Sequence, residues 1–261
     1  MQKKIGFIGM GNMASAMVSG LIADGAYAPG EILACARSYD RLAERAGRIG
    51  ITAMRTPEEV IDASDIVIIA IKPYQIEDVI PSLAEKLRQK VVLSVVAGWD
   101  FEKYETVLAP GTPHLYIMPN TPVSVNQGVL MFEEKHSLSD AEFETVRTIM
   151  QKLGTVVVLP THLMHAGMSI AGCGPAFAAM MIEALGDAGV KYGLPRQTAY
   201  TLAAQTLAGT GALQLHTGAH PGAMKDAVCS PAGTTIKGVT TLEKTGFRAA
   251  LISAIDAIND R

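Results

Sequence analysis

The chain is poor in the residues that mark several protein classes. It has three cysteines in 261 residues, Cys35, Cys173 and Cys229, far apart and without a Cys-x-x-Cys pair. So sparse a set argues against a disulfide scaffold and fits a reducing compartment. Six histidines are present, and His162 and His165 stand three residues apart. No cysteine or carboxylate near them completes a ligand pattern, so no metal site is expected. Charged residues make up 18% and sum to a net charge of -3. With no Lys/Arg cluster, that balance gives no electrostatic footprint for nucleic acid. No stretch approaches the roughly 18 apolar residues of a membrane span. The opening "MQKKIGFIGMGNMASAM" has a basic tip and an apolar run, but glycines and Asn12 interrupt it, unlike a signal peptide. These absences lead to the expectation of a cytoplasmic protein with neither a nucleic-acid nor a membrane partner.

What is abundant is apolar: 49% of the residues are hydrophobic, enough for a generous core. In the first 160 residues short Val/Ile/Leu runs alternate with amphipathic ones. "KIGFIG", "EILACA", "DIVIIAI", "KVVLSVVA", "HLYIM", "GVLMF" and "TVVVLP" read as strands covered on both faces, as in a parallel sheet. Helical segments fall between many of them: Asn12 to Asp24, "SYDRLAERAGRIG", "YQIEDVIPSLAEKLR" and "LSDAEFETVRTIMQKLG". The last opens on a capping pattern, Ser139 followed three residues later by Glu142. After Pro160 the strands stop, and helices follow that are apolar on more than one side. The expected fold is α/β, an N-terminal Rossmann-type doubly wound sheet (1–160) followed by an all-α domain (161–261). The uncovered apolar faces favour dimerisation through the second domain over a large internal core.

"GFIGMGNMA" puts Gly9, Gly11 and Ala14 at the turn from first strand to first helix, the G-x-G-x-x-A form of the dinucleotide fingerprint. Gly9 permits the tight turn, Gly11 the approach of a pyrophosphate, and Ala14 close helix packing. At the end of the second strand, where an acidic residue would suit NAD, stand Arg37 and Ser38, a charge and a hydroxyl suited to a 2′-phosphate. NADPH is therefore expected, with NADH the alternative; a solvated surface Arg37 is the plainer reading. "AIKP", Ala70 to Pro73, follows a strand and faces the same rim, with Lys72 near the ribose or only in a strand-to-helix turn. Asn120, between the prolines of "MPNTP", is either a ligand contact or an Asx turn. In the helical half, "VCSPAGTTIKGV" ends a Pro/Gly turn on two threonines. It is a helix cap, a ligand grip, or both.

These motifs, with "GCGPAF", "EALGDAGVKYGLPR", "HPGAMKDAV" and "SPAGTTIKGVTTLEKTGFR", resemble the pyrroline-5-carboxylate reductase family over nearly the whole chain. The resemblance implies hydride transfer from NAD(P)H to the C=N carbon of a cyclic imino acid, giving L-proline. It implies an active site shared across a dimer built by the helical domain, often within a ring of dimers. By position it implies cofactor contacts at Ile8, Gly9, Met10, Gly11, Asn12, Met13, Arg37, Ser38, Ala70, Lys72 and Pro73. Val95, Val96 and Ala97 match the loop beside the nicotinamide. Thr234 and Thr235 match the substrate loop, where Gly233, Thr234 and Thr235 would take the carboxylate and Thr235 the ring nitrogen; Asn120 is a further substrate candidate.

The chain departs from the family pattern in five places. Tyr116 stands where the family often has Arg, Ala171, Cys173 and Phe177 lose two hydroxyls and a phenol, and Ala232 replaces a glycine. Two other functions share the scaffold. A 3-hydroxyacid dehydrogenase relative would need a catalytic lysine, and neither Lys191 nor Lys225 sits in that motif. A catalytically silent NADP-sensing regulator would bind NADPH without turning over an imine.

Overall fold

The structure, a computed structural model, describes residues 3–260. The chain parts into two compact units, one ending at Gly172 and the other beginning at Cys173.

The first unit is built on an eight-stranded sheet in the order β3-β2-β1-β4-β5-β6-β7-β8. The strands are β1 (Ile5–Ile8), β2 (Ile32–Cys35), β3 (Thr52–Ala53), β4 (Ile66–Ile69), β5 (Val91–Ser94), β6 (His114–Pro119), β7 (Gly128–Glu133) and β8 (Gly154–Leu159). Six of its helices are α1 (Asn12–Ala23), α2 (Tyr39–Ile49), α3 (Pro57–Ala63), α4 (Ile76–Leu87), α5 (Phe101–Glu105) and α6 (Asp140–Gln151). Strands β1, β2, β4 and β5 are buried along their whole length, as continuous apolar runs between two helical layers should be. One core forms on each face, one around Phe7, Met17 and Phe132 and the other around Ile69, Ile80 and Tyr104.

Strands β1 to β6 are mutually parallel, but β7 runs antiparallel to β6. The reason is connection length. Only residues 120–127 join β6 to β7, and a parallel return needs a crossover of about a dozen residues or more. α6 supplies such a crossover from β7, so β8 is parallel to β7. β3 has two residues, too short for any periodicity to announce it. The capping box at α6 is present: Glu142 N–H donates to Ser139 Oγ at 3.4 Å, and Ser139 N–H to Glu142 Oε2 at 2.9 Å.

Past β8 the chain is helical. Residues 161–172, including α7 (Met164–Gly167) and a π-helical turn at Met168–Gly172, pack on the first unit, where Met164 joins Tyr116 and Met131. The division expected at 160 marks the change of element type; the compact units part twelve residues later. The second unit contains α8 (Gly174–Lys191), α9 (Arg196–Thr217), α10 (Pro221–Ala227), α11 (Thr234–Lys244) and α12 (Phe247–Asn259). α9 stops at Gly218, in the left-handed conformation that glycine tolerates. α8 and α9 pack through small residues: a Cβ on Gly186 would sit 2.4 Å from the Tyr200 ring. Beyond that seam much is uncovered, and Met180, Leu202, Leu213, Leu215 and Ile252 are all more than half exposed.

One expectation needs correction. The helical segments from Thr161 to Lys191 are together long and apolar enough, by length and composition, to cross a membrane. In the structure one helical segment follows another along this stretch.

Candidate active site

A cleft of about 1110 Å³ opens at the carboxyl ends of β1, β2 and β4. In a doubly wound sheet this is the switch point, where strand order reverses and ligands bind. Its floor is the turn from β1 to α1. Gly9 has φ +100°, and a Cβ there would stand 2.6 Å from the Ala70 carbonyl oxygen, so only glycine fits. The turn is pinned on both sides: Gly9 N–H donates to Cys35 O at 3.0 Å and Ala70 N–H to Ile8 O at 2.8 Å. At Gly11 an added Cβ would meet nothing within 4 Å. That open space lies over the start of α1, whose N-cap is Gly11 and whose first turn holds no acidic residue. A helix start without a side-chain cap presents N–H groups and a positive dipole end to an anion. Cradle and open helix start together fit a pyrophosphate.

The far side of the cleft is cationic. Arg37 and Ser38 line it as the sequence implies, and the Ser38 side chain, at the N-cap of α2, makes no capping bond. Arg41, Arg45, Arg48 and Arg55 line it too. Arg48 is 3.7 Å from Glu44, and Arg55 lies 4.2 Å above the Tyr39 ring. Those four were missed in the sequence; the signal was the spacing 41, 45, 48, which puts three arginines along one helix face. Cys35 also lines the cleft, where burial pushes its thiol up to about 11 and keeps it protonated.

Among the other expected contacts, Ile8, Met10, Asn12, Ala70 and Lys72 line the same cleft. Met13, Pro73, Val95, Val96 and Ala97 do not. Met13 packs against the core, and residues 95–97 begin the loop that follows β5. Asn120 is 7% exposed and engaged at both ends of its carboxamide. Nδ2 donates to Ala171 O at 2.9 Å, and Oδ1 accepts from Val129 N–H at 2.8 Å. It ties the β6–β7 connection to the π-helical turn, and neither bond is the local Asx turn that the sequence offered beside a ligand contact.

In the second unit, Gly233 is the N-cap of α11, again without a side-chain cap. A Cβ on Gly233 would meet Ser230 Oγ at 2.4 Å. Thr234 and Thr235 are exposed, and among the described residues neither hydroxyl makes an intramolecular hydrogen bond. The preceding residue, Ala232, has φ +60°. His220 caps α10 by accepting the Gly222 N–H at 3.1 Å on its Nδ1.

Comparison with known proteins joins the two units. Residues 161–261 match the family model described as pyrroline-5-carboxylate reductase dimerisation, and residues 4–98 match one described as NADP oxidoreductase, coenzyme F420-dependent. The chain is 40% identical over 257 residues to the pyrroline-5-carboxylate reductase of Treponema pallidum, covering 97% of each chain. It belongs to the pyrroline-5-carboxylate reductase family. The solved reductase of Coxiella burnetii aligns with a TM-score of 0.88 at 30% identity, covering 100% of this chain and 97% of the other. The Plasmodium falciparum reductase, solved with NADP bound, aligns with a TM-score of 0.86 at 27% identity, covering 99% and 96%. Against the family pattern, Ala232 keeps a left-handed backbone at a glycine position. Tyr116, in place of the frequent arginine, is buried, with its phenol pushed up to about 12 chiefly by that burial.

Proposed function

We propose that the β1–α1 cleft holds NADPH, that residues 95–97 flank its nicotinamide, and that the start of α11 holds the substrate carboxylate. The chain is a pyrroline-5-carboxylate reductase: it reduces 1-pyrroline-5-carboxylate to L-proline with NAD(P)H. The likeness to named reductases supports this reading over the hydroxyacid dehydrogenase and silent-regulator readings. The observation that carries the site is the same device occurring twice. Each unit has a helix start capped only by glycine and open to an anion, one for a pyrophosphate and one for a carboxylate.

The bound nicotinamide supplies a hydride to the carbon of the C=N bond, and the ring nitrogen takes a proton. The chain's residues bind and orient. The Gly9–Gly11 turn and the α1 N–H groups hold the pyrophosphate, while Arg37, Ser38 and their arginine neighbours favour a 2′-phosphate and hence NADPH over NADH. Gly233, Thr234 and Thr235 give backbone N–H groups to the carboxylate. The Thr235 hydroxyl hydrogen-bonds the ring nitrogen and orients it. A hydroxyl is too weak an acid to supply the proton near neutral pH, so the proton arrives with the substrate or from solvent. Asn120 is left out of the substrate set, because its carboxamide already holds Ala171 and Val129.

The helical unit dimerises, in keeping with its match to the dimerisation model. A ring of such dimers and a cytoplasmic location are the finer parts of this proposal. In an NADPH-oxidation assay with the cyclic imine, Thr235→Ala lowers kcat/KM about 10- to 100-fold with an unchanged thermal melt. Unchanged turnover removes Thr235 from the site.

A further inference from the structure

Three polar side chains form a buried row across the sheet outside the cofactor cleft. Ser94 on β5 is in register with Tyr116 on β6, and one step beyond the Ile117–Phe132 pair Tyr116 faces Glu133 on β7. In-register neighbours point to the same face of a sheet. Ser94 is 2% exposed, Tyr116 4% and Glu133 0%. A carboxylate so buried is costly unless its lone pairs are satisfied. Glu133 has no ion-pair partner within 4.0 Å among the described residues. Instead it takes two hydrogen bonds, the Phe101 N–H on Oε2 at 2.8 Å and the Thr161 hydroxyl on Oε1.

Phe101 opens α5, and the loop between β5 and α5 is residues 95–100. That loop includes Gly98 at φ +77° and exposed Ala97, so its backbone is free to move unless it is held. The row holds it at both ends. Ser94 Oγ accepts the Val96 N–H at 3.2 Å and donates to the Tyr104 hydroxyl at 2.7 Å. Lys103 Nζ, from α5, donates to Gly98 O. At the far end stands Glu133, the only charged member of the row.

We propose that Glu133 is a positioning residue for the reduction: by holding the Phe101 N–H it fixes the 95–100 loop against which the nicotinamide lies. The inference rests on the reading that residues 95–97 flank the nicotinamide.

Trp99, the single tryptophan of the chain, sits in this loop with its ring 5.5 Å from that of Tyr104, so its emission reports loop order directly. The test measures Trp99 emission together with the dissociation constants of NADPH and of 2′,5′-ADP, which lacks the nicotinamide. Glu133→Ala is expected to shift Trp99 emission to the red and weaken NADPH about tenfold, the worth of one hydrogen bond to a charged group. 2′,5′-ADP affinity stays within about twofold, because the adenine-side cleft is untouched. Glu133→Gln, which keeps the volume and an acceptor oxygen, restores most of the NADPH affinity. If Glu133→Ala does not fold, Thr161→Val removes the carboxylate's other partner and gives the same pattern at about threefold.

Unchanged NADPH affinity and emission overturn the proposal, and so does equal weakening of NADPH and 2′,5′-ADP, which marks a general structural defect. Ala97→Leu separates the two layers of the argument. If it weakens NADPH while Glu133→Ala does not, the role of Glu133 fails and the nicotinamide placement stands. If Ala97→Leu changes neither NADPH affinity nor turnover, the placement itself fails.

Discussion

Ala232 holds a left-handed backbone without being a glycine, directly before the Gly233–Thr235 turn. An L side chain in that region costs roughly 1–2 kcal/mol, and a glycine there returns about 0.4–1 kcal/mol of that to the unfolded chain as entropy. Ala232→Gly should therefore stabilise the protein by about 0.5–1 kcal/mol. The expected readout is a higher urea midpoint at unchanged slope; an unchanged or lower midpoint shows that the turn carries no such strain. Gly9 is the opposite case, a position where any Cβ collides with the Ala70 carbonyl. Its role was legible in the sequence because the fingerprint spacing specifies a glycine there for a geometric reason. The strain at Ala232 was not, since φ depends on what the surrounding turn must satisfy.

At the scale of elements, α2 stands out. It begins at Tyr39 directly after Ser38 and turns Arg41, Arg45 and Arg48 to the cleft that Arg37 enters from the end of β2. A 2′-phosphate placed there meets several cations. Arg37→Ala and Arg41→Ala should each lower kcat/KM for NADPH about tenfold while changing that for NADH by less than about twofold. The difference should shrink as salt is raised, since exposed charges are screened. Equal losses with both cofactors would place these arginines away from the 2′-phosphate. Arg37 was readable from its place after a strand, whereas Arg41 and Arg45 became readable only once α2 was seen to face the cleft. β7 is a further element the sequence left open: "GVLMF" fixes a buried strand, but its direction followed from the short 120–127 connection.

For the whole molecule, the buried ionisable groups set an alkaline limit. Burial raises the Cys35 thiol from an ordinary 9.0 to about 11, and the Tyr27 and Tyr116 phenols from 10.0 to about 12. For such groups the neutral form is favoured in the folded state. Their stabilisation is complete below the ordinary values and is lost as pH rises through the folded ones. The melting temperature should hold up to about pH 9 and then fall steadily between about pH 9 and 12. A flat profile across that range would show these groups to be solvated. The uncovered apolar side chains of the helical unit belong to this scale as well, since the packing of its own helices leaves them exposed.

The doubly wound sheet, the helical second half, the dinucleotide turn and the family resemblance are all legible in the order of the residues. Each of these depends on local periodicity or on residues at fixed spacing. Folding alone brings Asn120 to Ala171 and Val129, four further arginines to the cleft, and Glu133 to the end of the loop after β5. Those facts join residues that are distant in the chain, 32 positions apart for Phe101 and Glu133 and 51 for Asn120 and Ala171. No local pattern encodes such a pairing, because it comes into being only when the strands between them take their register in the sheet.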